Sequence, residues 1–192
     1  MTIDPYTDPA TGVLHNKLGL TDADNLSQAE TGLSLKAIAL LSRNPLPGSY
    51  DLEHLQAFHR HIFGKIYPWT GEIRTVAIAK LDLYCLPQYI VGYATDLFGK
   101  LANADNYLRE LGRETFLDRL TYYVAEVYAV HPFREGNSRT LRAFFAQLAQ
   151  HAGWELNWGS LNQQRSFAAL AATLRGETKL LAELLDDCLE SA

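Results

Sequence analysis

Apolar residues recur along this chain mostly at helical spacing. In residues 51–63, Leu52, Leu55, Phe58, Ile62 and Phe63 share one face of a 3.6-residue period, which predicts an amphipathic helix. In residues 116–130, Phe116, Leu120, Tyr123, Val124 and Val127 do the same. Thr115, with Asp118 three residues on, predicts the start of that helix as a partial capping box. A third stripe, Leu141, Phe144, Phe145 and Leu148, follows i, i+3, i+4, i+7 and is expected to end at Gly153. Residues 166–174 and 179–189 also read as helices. Strand character is confined to residues 74–80 (RTVAIAK) and Leu83-Tyr84-Cys85, which predict a hairpin turning at Lys80-Leu81-Asp82. A Pro/Gly loop, residues 44–48, separates an N-terminal helical extension (1–47), packed on the core, from the main body (48–192). The expectation is a mainly α fold, a single structural domain with one small β-hairpin.

Composition narrows the function classes. The 192 residues are 47% hydrophobic and 20% charged, ordinary for a soluble globular domain with a sizeable core. A net charge of −5 argues against nucleic acid or an anionic membrane as the main partner. Cys85 and Cys188 stand far apart, in no ligand spacing, and suggest reduced thiols in a cytosolic setting. Residues 1–13 hold no basic region followed by an apolar run, so no secretory signal is expected, and no apolar stretch is long enough to span a membrane.

The chemistry is concentrated in residues 131–142, HPFREGNSRTLR. A helix starting near Asn137 leaves its first N–H groups unpartnered, and its dipole favours an anion there. Gly136 lets the backbone turn tightly and approach a ligand, so the N–H groups of residues 136–138 can form a concave anion site. Arg139 and Arg142, spaced i, i+3, share a face distinct from the Leu141/Phe144/Phe145 face. Two guanidiniums beside such a helix start suit a polyphosphate. Glu135 is placed to hold Mg²⁺, which prefers one or two carboxylates plus phosphate oxygens. His131 titrates near working pH, as a general base needs.

These residues resemble the Fic family, whose motif is H-x-F-x-[D/E]-G-N-G-R-x-x-R; His131, Phe133, Glu135, Gly136, Asn137, Arg139 and Arg142 match in register. Residues 66–75 (IYPWTGEIRT) resemble the segment leading into the family's flap hairpin. The resemblance implies a protein adenylyltransferase. His131 would deprotonate a Tyr, Thr or Ser hydroxyl of a target protein, and that oxygen would attack the α-phosphorus of ATP, with Mg-pyrophosphate leaving. Gly136, Asn137 and Ser138 would contact the phosphates, Arg139 the β-phosphate and Arg142 the γ-phosphate. Val76, Ala77 and Ile78 of the flap would dock the target by strand addition. The family usually has Gly where Ser138 stands; a position needing positive φ would make serine costly there.

Two other functions stay open: a different transfer, of UMP or phosphate, and a nucleotide-binding module weakened at Ser138. Gly136 argues against the phosphate-transferring relatives, which replace that glycine. The family's inhibitory helix carries [S/T]-x-x-x-E-[G/N]. Thr173–Glu177 has its spacing but is followed by Thr178, and Ser27-Gln28-Ala29-Glu30 has the wrong spacing. Residues 13–19 (VLHNKLG) resemble the toxin class restrained by a separate small antitoxin, which would cover Arg142. For that class the resemblance suggests type II topoisomerase subunits as targets. Elsewhere the plain structural reading prevails. His59 and His61 do not share a helix face, Tyr122, Tyr123 and Tyr128 read as core or rim aromatics, and residues 183–190 read as a solvated acidic face.

Overall fold

The structure, a computed structural model, describes residues 4–80, 82–160 and 162–191. Its helices are α1 (Ala23–Leu41), α2 (Leu52–Phe63), α3 (Pro87–Asn103), α4 (Arg113–Val130), α5 (Asn137–His151), α6 (Gln163–Thr173) and α7 (Lys179–Cys188). Strands β1 (Trp154–Leu156) and β2 (Leu189–Ser191) pair antiparallel, with Glu155 opposite Glu190. The fold is thus mainly helical with a small two-stranded sheet. None of the described helices is long and apolar enough to cross a membrane.

The stripes read from sequence become the core. Leu55, Phe58, Ile62 and Phe63 of α2 meet Leu141, Phe144, Phe145 and Leu148 of α5, all buried. Phe116, Leu120, Tyr123, Val124 and Val127 close the same core from α4. Burying a side chain of this size contributes about 1.5–3 kcal/mol. Asp51 caps α2 by accepting from the His54 N–H at 2.8 Å. At α4 the expected capping box does not form. The helix begins at Arg113, after Gly112, and no side chain caps it.

Helix α3 and the two strands escaped the sequence reading. Helix α3 buries Ile90, Ala94, Leu97, Phe98 and Leu101 at helical spacing, but Tyr89, Val91 and Tyr93 are exposed on its other side and blur the pattern. The β1–β2 pair uses three-residue segments, too short to leave a period. Because β2 starts at Leu189, α7 stops one residue earlier than expected. The acidic run forms the solvated face that was expected, with Glu183, Asp186, Asp187 and Glu190 all exposed. Asp186 pairs with Arg113 and Asp187 with Arg165, while Leu184, Leu185, Cys188 and Leu189 are buried.

The expected hairpin is looser than a ladder. Residues 74–85 double back through a single bridge, Ala79 to Leu83, supported by Tyr84 N–H donating to the Ile78 carbonyl at 3.2 Å. Leu81, at the middle of the expected turn, lies outside the described residues, as do residues 1–3 of the segment read for a signal.

Candidate active site

Helix α4 ends on His131, whose backbone is left-handed at φ 45°, ψ 60°. Such a conformation costs an L-residue about 1–2 kcal/mol and persists only if the surroundings impose it. Arg74 imposes it. This arginine is 1% exposed, its backbone N–H donates to the Pro132 carbonyl at 2.9 Å, and its Nε donates to the His131 carbonyl at 2.7 Å. Its Nη1 reaches the Val76 carbonyl at 2.7 Å, and its Nη2 the carbonyls of Cys85 and, at 3.4 Å, Val130. One buried cation therefore ties both arms of the flap to the end of α4, where the helix dipole favours positive charge.

The loop from 132 to 136 is fastened from within and below. Asn137 Oδ1 accepts from the Phe133 N–H at 2.9 Å and its Nδ2 donates to the Phe133 carbonyl at 2.7 Å. Both ends of its amide thus help to hold the loop, with one Nδ2 proton not used in these two bonds. His59 of α2 accepts the Gly71 N–H on Nδ1 at 2.8 Å. Its Nε2 must then carry the proton and donates to the Glu135 carbonyl at 3.0 Å. The ring also stacks on Phe133 at 3.9 Å. Burial, with Arg139 and Arg60 nearby, pushes His59 down to about 4, so it serves as a neutral staple.

Gly136 carries φ +81°, and a Cβ there would stand 2.5 Å from the Phe63 ring. Only glycine fits. Its N–H is taken by Glu135 Oε1 at 2.8 Å. Ser138, by contrast, lies inside α5 with no positive φ. The strain that a left-handed backbone would have imposed on serine is absent.

His131, Glu135, Gly136, Asn137, Ser138, Arg139 and Arg142 all border one cleft of about 700 Å³. Val76, Ala77 and Ile78 are not among its walls; they stand on the flap, with Ala77 exposed. His131 is buried and stacks on Tyr84 at 3.8 Å. Desolvation above all, then the charges of Lys80 and Arg74, push it down to about 3. The Tyr128 carbonyl offsets this partly without hydrogen-bond geometry, since Nδ1 is buried with no partner among the described residues. Arg142, half-buried, has no carboxylate within 4 Å among the described residues, and burial lowers its pKa. Glu177, of the sequence with inhibitory spacing, lies 3.9 Å from Arg175.

The sequence reading missed Arg74, His59, Lys80 and Glu30 as site residues. Lys80 of the flap borders the cleft beside His131. Glu30 and Ser34 of α1 both bind Arg139. Arg74 and Lys80 were read only as part of the hairpin, His59 only against a metal site and Glu30 only against the inhibitory motif; the arginine that Glu30 meets is Arg139, not Arg142. None of these pairings has a local signal, because each joins residues far apart in the chain.

A family model described as "Fic/DOC family" matches residues 49–149. Protein adenylyltransferase VbhT of Bartonella schoenbuchensis is 38% identical over 184 residues, which is 95% of this chain and 38% of that one. A probable protein adenylyltransferase Fic of Salmonella typhimurium is 33% identical, with 98% of this chain and 94% of that one covered. In fold, the chain matches the BepC effector protein of Bartonella tribocorum, solved with bound AMPPNP, at a TM-score of 0.89, 23% identity and 97% coverage of both chains. The chain belongs to the Fic/DOC family.

Proposed function

We propose that the chain is a protein adenylyltransferase that moves AMP from ATP to a Tyr, Thr or Ser hydroxyl of a target protein. The name of the Salmonella relative, matched over nearly its whole length, supports the activity. The observation that carries the mechanism is the convergence of a neutral imidazole, two arginines and the N-terminus of α5 on one cleft. His131 accepts the hydroxyl proton. The oxygen bonds to the α-phosphorus as the bond to the bridging oxygen breaks, and pyrophosphate leaves. The α5 N-terminus and Arg139 and Arg142 neutralise the phosphates; positioning and charge stabilisation supply most of the rate.

Glu135 fits a Mg²⁺ site. It is partly exposed, and only one of its oxygens is engaged with the Gly136 N–H. No cluster of three or more His, Cys, Asp or Glu exists among the described residues, so the ion would complete its shell from phosphate and water. When bound with ATP, Mg²⁺ supplies positive charge to the leaving pyrophosphate.

The flap docks the target: Ala77 makes no backbone hydrogen bond among the described residues and offers its edge to an extended segment. A separate antitoxin restrains the enzyme by covering Arg142, a role supported by that residue's lack of a carboxylate partner among the described residues and by Glu177 lying against Arg175. The working place is the cytoplasm, and type II topoisomerase subunits are the first targets to try. The test is α-labelled ATP with a bacterial lysate, beside a His131→Ala control. One dominant labelled band, lost in the control, is expected. Label carried from γ-labelled ATP instead would replace nucleotidyl transfer with phosphate transfer.

A further inference from the structure

Arg139 is held by residues that lie outside the sequence motif. Its Nη1 donates to Ser34 Oγ at 3.0 Å and its Nη2 to Glu30 Oε1. Both acceptors stand on α1, 105 and 109 residues from Arg139 in the chain. Beneath the guanidinium lies the Phe63 ring, 4.8 Å from Cζ to the ring centroid. Glu30 is itself anchored: it is buried, and its second oxygen accepts from the Tyr67 hydroxyl, also buried. Glu135 approaches the same guanidinium only to 4.0 Å.

A buried carboxylate is tolerated when its lone pairs are engaged, and Glu30 meets that condition on both oxygens. A guanidinium presents five N–H groups in a rigid fork. Glu30 and Ser34 take one each, which leaves donors for an anion in the cleft that all three residues border. An arginine freely rotating on its long stem would have to be ordered by each arriving nucleotide; one already clamped would not.

We propose that Glu30 is a positioning residue for nucleotide binding: anchored by Tyr67 and helped by Ser34, it orients the Arg139 guanidinium before the phosphates arrive. Glu30 touches Arg139 and acts through it. The inference rests on reading the cleft as the nucleotide site.

The experiment is calorimetry of the full chain with a non-hydrolysable ATP analogue and Mg²⁺. Glu30→Gln keeps the shape and removes the charge; its dissociation constant is expected to rise about tenfold, the scale of ordering one long side chain. Tyr67→Phe and Ser34→Ala, milder changes that keep the test open should Glu30→Gln fold poorly, are each expected to weaken binding about threefold. In an Arg139→Met background, Glu30→Gln is expected to add less than about twofold, because the residue it serves is gone. A merely structural glutamate would weaken binding equally in both backgrounds, and that result overturns the proposal. So does binding that is unchanged or tighter in all three single variants. Failure of the unaltered chain to bind the analogue sinks the nucleotide reading itself and this inference with it. Normal binding by the unaltered chain with no loss in the variants sinks this inference alone.

Discussion

Replacing Arg74 by methionine is the most searching test of how the site is built. The guanidinium is 1% exposed and satisfies the carbonyls of His131, Val76 and Cys85, with Val130 at longer range. Methionine fills much the same volume, so a cavity contributes little. Three carbonyls lose their donor, each at about 1–3 kcal/mol when buried and unmatched. Against this, the desolvation of a buried cation, several kcal/mol, disappears. The favourable contact with the end of α4, up to about 2 kcal/mol, is lost as well. The balance is a destabilisation of about 3 kcal/mol, which for a domain of this size lowers the melting temperature by about 6–12 °C. Urea and thermal denaturation measure it. Label transfer at 25 °C, where the variant remains folded, should fall further than stability explains, because the left-handed turn at His131 loses its tether. Arg74→Lys, a point charge without the fork, should fall between. A methionine variant melting within about 2 °C of the parent, with transfer intact, would refute the view that this cation shapes the catalytic loop.

Other expectations follow from single features. Gly136→Ala meets the Phe63 ring at 2.5 Å from a backbone at φ +81°; a loss of about 1–3 kcal/mol in urea denaturation and weakened nucleotide binding are expected. Stability should fall on mild acidification. His59 and His131 are held neutral near 4 and 3, whereas the unfolded chain takes up protons near pH 6.5. The unfolded state therefore binds more protons below that pH, and His59 alone should remove about 3 kcal/mol between about pH 6.5 and 4. A flat stability profile over that window, followed by denaturation at each pH, would contradict the buried neutral assignment. Ser138→Gly should change label transfer by less than about threefold and cost at most about 1 kcal/mol, since the position is helical. A large gain in transfer would show that serine obstructs the phosphates.

The sequence by itself determined the helical class, the main core and the candidate site. The stripes of α2, α4 and α5 are local periodicities, and a helix must bury its apolar face wherever it ends up. The motif was legible because residues 131–142 form the end of one helix, a turn and the start of the next, so their relative placement is set by local backbone geometry. Gly136 and the start of α5 could be read for the same reason. Tertiary structure decided what holds that site in shape. Arg74 meets the end of α4 across 56 and 57 residues, His59 meets Glu135 across 76, and Glu30 meets Arg139 across 109. Such pairs leave no period and no spacing in the chain. They exist because α1 packs on α2, α2 on α5 and the flap against the end of α4, which brings these side chains together and excludes water. Burial then makes a fork of donors or a single carboxylate worth far more than its place in the sequence suggests. The same exclusion of water holds His131 neutral, a property that the residue's identity alone does not supply.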